Sequence, residues 1–162
     1  MEKPATSKLS AMSEIITPMP SFCRWMSLLL ASVVLSACAV TSRPAPPLHV
    51  ALGGQAHISA FTHKAMARAA ADPRTRRTFE GVRLSQLQQS VSAQLCQVAD
   101  GPCVYEGETM RNAHADLAIT GSEFDALVQI LREEMDAAQV DTAAKNELLR
   151  RLAPMRRDIV VR

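Results

Sequence analysis

Apolar residues recur at intervals of three and four along most of the chain beyond Val50, the spacing of one face of an α-helix. From Gln55 to Ala71 the apolar positions Ile58, Phe61, Ala65, Met66 and Ala69 predict a helix. Gly53-Gly54 gives it a flexible entry and Asp72-Pro73 ends it. Between Arg83 and Val98 the stripe is Leu84, Leu87, Val91, Leu95 and Val98, with Ser, Gln and Ala elsewhere, which predicts a second helix apolar on one face. Gly101-Pro102 breaks that pattern and Gly107 marks a further turn. A short helix follows from about Glu108 to Leu117, with Met110, His114 and Leu117 on one side. Thr120 or Ser122 can cap the next helix, Glu123 to about Ala138, whose buried side is Phe124, Leu127, Val128, Leu131 and Met135. A last helix from Thr142 to about Ile159 presents Leu148, Leu149, Leu152, Met155 and Ile159, and Pro154 should bend it. No strand alternation, repeat or low-complexity tract competes, so the predicted fold class is all-α.

Composition agrees with this reading. Of the 162 residues 48% are hydrophobic but only 4% aromatic, a palette suited to helices packed on helices, and the length allows one core. The formal charge is +2, and removing a leader that carries Lys3, Lys8, Arg24, Glu2 and Glu14 lowers it by one. So even a balance excludes a nucleic-acid footprint.

The N-terminal region reads as an export signal over residues 1–37. Arg24 precedes the mostly apolar run Met26 to Leu35, which small residues close at Ser36, Ala37 and Cys38. About ten apolar residues are too few to span a bilayer. Leu35-Ser36-Ala37-Cys38 resembles the lipobox of bacterial lipoproteins, which implies cleavage before Cys38 and lipidation of its thiol. The alternative is a secretory leader with an incidental cysteine. Residues 1–18 read as a misassigned start, since a start at Met19 gives a leader of ordinary length. Residues 38–49, with Pro44, Pro46 and Pro47, read as an extended tether, and the folded domain is expected over 50–162. Ala39 after the cysteine resembles the outer-membrane sorting pattern. The expectation is a periplasm-facing envelope lipoprotein held in the membrane by its lipid.

One residue in the apolar stripes can do chemistry. His114 shares a face with Met110 and Leu117, so its imidazole should turn inward, where it ligates a metal or takes a hydrogen-bond partner. Around it, Leu52-Gly53-Gly54, Asp72-Pro73, Phe79-Glu80-Gly81, Gly101-Pro102-x-x-Tyr105-x-Gly107, Met110-Arg111-x-x-His114 and Ile119-Thr120-x-x-x-Phe124 run in order. This set, with Leu152-Ala153-Pro154-Met155 at its end, resembles the group I truncated haemoglobins. The resemblance implies a two-over-two helical sandwich enclosing haem b, with His114 as proximal iron ligand and Phe79 against the porphyrin face. It implies an apolar lining of Leu84, Leu87, Val91, Leu95, Met110, Ile119 and Phe124, though such stripes also serve as plain core. Tyr105 and Arg111 are candidates for the haem propionates. Covalent attachment through Cys-x-x-Cys-His has no support.

On the distal side the chain departs from the family it resembles. Where that family places a tyrosine that donates to bound dioxygen, this chain has Met66, and the supporting polar positions are Leu87 and Val91. Losing such a donor forfeits roughly 1.5–3 kcal/mol for O2, and less for NO or CO. Met66 is a candidate sixth ligand, with packing as its alternative role, and His63 a more remote candidate. With Cys23 removed and Cys38 lipidated, Cys96 and Cys103 remain as an even pair in an oxidising compartment, which predicts a disulfide contributing ~2–3 kcal/mol.

The leading expectation is therefore a haem globin that reversibly binds a diatomic gas (O2, NO or CO), reduced by an unknown reductase, and more a binding protein than an enzyme. An NO dioxygenase or peroxidase-like enzyme is the second reading, and a haem-free interaction module of the envelope the third.

Overall fold

The computed structural model describes residues 45–161, and every regular element among them is helical. The export signal, Cys38 and most of the tether lie outside the described residues. Residues 45–47 are exposed and non-helical. No helix among the described residues is long and apolar enough to cross a membrane.

The first element, α1 (Leu48–Ala51), was not anticipated from the sequence because four residues carry no periodicity. It is held by its surroundings. Leu48 and Leu52 are buried, and the His49 N–H donates to the Ala99 carbonyl at 2.9 Å, at the far end of a later helix. Gly53 then turns the chain with φ +88°, and a Cβ there would lie 2.2 Å from His57 Nδ1, so both conformation and space require glycine.

Helix α2 (Gly54–Ala71) is the centre of the molecule. Ile58, Phe61, Ala65, Met66 and Ala69 are buried along it as their spacing predicts. It packs on both α3 (Leu84–Val98) and α5 (Gly121–Ala137). Between α2 and α3 the chain makes a 3-10 turn, Arg76–Phe79. The buried Thr75 hydroxyl donates to the Ala69 carbonyl at 2.6 Å, satisfying a helix-end acceptor that water cannot reach.

Helices α3 and α5 end alike. Asp100 and Gln139 adopt left-handed φ of 59°, and the following N–H groups of Gly101 and Val140 reach back to Cys96 and Met135 at 2.8 and 3.0 Å. Gly101 has no room for a Cβ, which would sit 2.6 Å from Cys96 Sγ.

The short helix α4 is Met110–His114, less than the predicted stretch. Thr109 caps its start, and left-handed Ala118 (φ 45°) bars continuation toward α5. Helix α5 opens with a capping box: Thr120 accepts from the Glu123 N–H while the Glu123 carboxylate accepts from the Thr120 N–H. Helix α6 (Thr142–Leu152) is capped by Asp141. At Pro154 the chain tightens into a 3-10 turn and resumes as α7 (Arg156–Ile159), the bend predicted from that proline. The core gathers Leu95, Cys96, Ile130, Leu131, Met135 and Leu148 around α2.

Candidate functional site

His114 closes α4 and is half-buried. Its Nδ1 lies 2.7 Å from the Met110 carbonyl oxygen. A carbonyl only accepts, so Nδ1 carries the hydrogen, and a neutral ring then keeps its lone pair on Nε2. A ligating histidine is oriented and made more basic in the same way. Met110 is thus both a stripe residue and, through its backbone, the group that sets the histidine tautomer.

The loop on either side of α4 is pinned from three directions. Downstream, the Arg77 guanidinium donates to the Leu117 and Ala118 carbonyls at 3.2 and 3.3 Å and grips Glu123 at 2.9 Å. The Thr120 N–H, with the Thr120 hydroxyl and Arg77, holds the Glu123 carboxyl below its usual range. From the C-terminus, α7 packs on α4, Arg111 pairs with Asp158 at 2.5 Å, and the Val161 N–H donates to the Ile119 carbonyl at 3.0 Å. Upstream, Cys96 and Cys103 form the predicted disulfide, and the Tyr105 N–H donates to the Gln97 side chain at 2.7 Å.

The residues anticipated as an apolar lining fall into two groups. Met66, Leu95 and Ile119 are buried, at 5%, 3% and 8% exposure. Leu84, Leu87, Val91, Met110 and Phe124 remain half-buried, as does Phe79 at the end of its 3-10 turn. Helix α3 therefore buries only Leu95 and Cys96 fully, although its stripe is continuous. That leaves an incompletely covered apolar face, the kind of surface a flat hydrophobic ligand would finish burying. Met66 stands in the α2 core. His63 is half-buried, its Nε2 3.3 Å from the Ser59 hydroxyl.

The two propionate candidates both have partners within the chain. The Tyr105 hydroxyl donates to the Glu108 carbonyl at 2.8 Å, and Arg111, 75% exposed, holds Asp158. A cleft of about 570 Å³ is lined by Arg111, His114, Ala115 and the C-terminal residues 157–161. Leu84, Leu87 and Val91 do not line it, so it lies on the C-terminal side of His114 and apart from the α3 stripe.

Sequence reasoning missed Arg77, the C-terminal contacts and Gln94, whose amide donates to the Met110 thioether at 3.3 Å. None has a local signal, because each acts on a partner far along the chain. Among the described residues no group of three or more His, Cys, Asp or Glu is placed to hold a metal ion. A site built on His114 offers one imidazole, beside a cleft that also carries Arg111, Arg157 and Asp158. That donor set suits an iron whose equatorial ligands come from a macrocycle.

The family model for bacterial-like globins matches residues 48–161. Among solved structures, the chain resembles the truncated hemoglobin of Tetrahymena pyriformis in its Fe(III) form. Identity is 23%, TM-score 0.68, and 71% of this chain and 98% of that one are covered. The 2/2 hemoglobin of Synechococcus sp. PCC 7002, in the cyanomet state and with covalently attached heme, is similar at 24% identity and TM-score 0.67, over 72% of this chain and 100% of that one. No curated protein sequence matches the chain. The two-over-two arrangement predicted for the helices is thus the fold observed.

Proposed function

From the premise that this chain belongs to the bacterial-like globin family, we propose that it is a group I-type haem globin that binds a diatomic gas, with His114 as its iron ligand. The observation that carries this is the 2.7 Å contact between His114 Nδ1 and the Met110 carbonyl, which leaves Nε2 free to ligate. Both hemoglobin relatives are iron or haem proteins by description, which supports haem as the group. Without a Cys-x-x-Cys-His motif the reading is non-covalent haem b.

When bound, haem supplies an iron centre that takes up small gases reversibly. The chain's own residues hold and shield it. Phe79, Leu84, Leu87, Val91, Leu95, Ile119 and Phe124 offer apolar contact. Met110 orients His114, and Arg77 with Glu123 fixes the segment after it. Met66, Leu87 and Val91 supply no N–H or O–H donor at the positions where a distal donor is expected. That favours NO or CO over tight O2 storage, since bound O2 gains most from a donor.

We further propose that the protein works in the cell envelope, tethered by a lipid on Cys38, facing the periplasm and more at the outer than the inner membrane. Its partners are then the gas and a reductase.

Full-length protein titrated with haemin, beside His114→Ala, tests the reading. A sharp Soret band that needs His114 is the expected result. A broad spectrum of loosely associated haemin in both would overturn it. The haem-free alternative has one observation in its favour, the cleft beside His114 being lined by C-terminal residues and not by the α3 stripe. The same titration decides between them.

A further inference from the structure

The segment that leads into the His114 helix is tied to the fold almost entirely through one end of α3. Between Pro102 and Thr109 no regular element forms, and Val104 is 74% exposed. The side-chain anchors joining these residues to another element are the Cys96–Cys103 bond, with Cα atoms 5.8 Å apart, and the Gln97 carboxamide on the Tyr105 N–H. Both arise from neighbouring positions on the last turn of α3. Other hydrogen bonds of these residues, Tyr105 to the Glu108 carbonyl, Asn112 to the Glu108 carboxylate and the Thr109 cap of α4, run only within the segment and α4. Cys96 itself is fully buried beside Gly101, whose N–H returns to the Cys96 carbonyl, so one sulfur is fixed in the core. Cys103 is half-buried, between exposed Pro102 and Val104.

We propose that the Cys96–Cys103 disulfide is a thiol-responsive latch that positions His114, so that the thiol–disulfide state of the chain sets its affinity for haem. The proposal rests on the haem reading above. The chemistry is exchange with a dithiol. A thiolate attacks the more accessible Cys103 sulfur and forms a mixed disulfide, and Cys96 leaves as a thiolate and takes up a proton. The second thiol of the reductant then attacks its own sulfur in that mixed disulfide, closes a cyclic disulfide and releases Cys103, which is protonated in turn. Two electrons pass from the dithiol to the protein, with one S–S bond broken and one formed.

Reduction leaves Cys96 in place as a small apolar core residue, so the fold persists. Residues 102–109 lose their covalent anchor and keep the Gln97 hydrogen bond and the packing of Cys103 against the core. Met110 and His114 follow that segment in a helix of five residues, too short to persist alone, whose entry side is then loosened while Gln94, the Arg111–Asp158 pair and the packing of α7 still hold its other side. If the loosened segment offers His114 correctly about one time in ten, the apparent dissociation constant for haem rises about tenfold.

The test uses full-length protein in three forms: oxidised, reduced by a dithiol, and Cys96→Ala/Cys103→Ala. Amide hydrogen exchange is followed without haem, and haem affinity with haemin. The expected result is faster exchange confined to residues 102–114 in the reduced and double-alanine forms, with α2 and α5 still protected, and haem affinity about tenfold weaker. Equal exchange in that segment across the three forms would overturn the latch, as would equal haem affinity. If the double variant fails to fold, the reduced wild type carries the comparison. If no form binds haem specifically, the haem reading fails. The exchange comparison then still judges whether the bond holds the His114 segment.

Discussion

Two side chains on the helix-lined interior make opposite demands. Leu87 is half-buried on α3, at a position where a distal hydrogen-bond donor is expected, and it offers none. Leu87→Gln should therefore raise O2 affinity by roughly 1.5–3 kcal/mol, tenfold to over a hundredfold, while CO affinity changes little. The ratio of O2 to CO dissociation constants measured by flash photolysis checks this, and an unchanged ratio would mean that position 87 does not face the iron. Thr62 shows the reverse case. It is fully buried on α2 and its hydroxyl has no hydrogen-bond partner among the described residues, a desolvation cost with nothing there to offset it. Thr62→Val removes the hydroxyl at nearly constant volume, and the expected outcome is a protein as stable or more stable by up to about 2 kcal/mol in urea unfolding. A loss above about 1 kcal/mol would show that the hydroxyl is bonded in solution.

At the scale of elements, the helices differ in what makes them. Helix α5 is specified locally, since its stripe, the Thr120 cap and Glu123 three residues on are all visible in the sequence. Thr120→Ala should cost about 1 kcal/mol, read from the shift in the denaturation midpoint. It should also loosen the exit from α4, because Glu123 would lose a hydrogen bond from the Thr120 hydroxyl. A stability change below about 0.3 kcal/mol would show that the box contributes little. The long helices and the bend at Pro154 were legible for the same reason, since each depends on residues close in sequence, and the disulfide was legible from the even pair left once Cys23 and Cys38 are set aside. Helix α1 and the 3-10 turn Arg76–Phe79 were not, because four-residue helices exist only through tertiary bonds such as His49 to Ala99. Helix α4 came out shorter than its periodicity suggests, since the left-handed turn at Ala118 has no glycine to announce it. In the candidate site His114 and its stripe could be read from spacing. Arg77, Asp158 and Val161 could not, because they meet the His114 segment across 40 or more residues.

Across the described residues, ion pairs reinforce what the core already joins, and they make the fold sensitive to acid. Arg151 donates to the Val98 carbonyl and to Asp100 at the end of α3, and also to Glu147 within α6, so it ties the last long helix to the helix that carries the disulfide. The Glu147 carboxyl, hydrogen-bonded first by Arg150 and then by Arg151, is held down to about 2, against 4.5 unperturbed. Asp72, gripped by the Arg74 side chain and N–H, is likewise lowered to about 2, from 3.8. A carboxyl with a depressed folded-state pKa stabilises the fold above its unfolded value and loses that contribution as pH falls through the folded one. Stability should therefore hold from neutral pH down to about 4.5, then decline until about 2. Both groups are at the surface, so salt should shrink the effect. Urea unfolding at a series of pH values would follow it, with Glu147→Gln and Asp72→Asn alongside. Each variant should be less stable than the parent at neutral pH, with the gap closing as the medium approaches pH 2. A gap that stayed constant with pH would mean these carboxyls act through packing and not through charge.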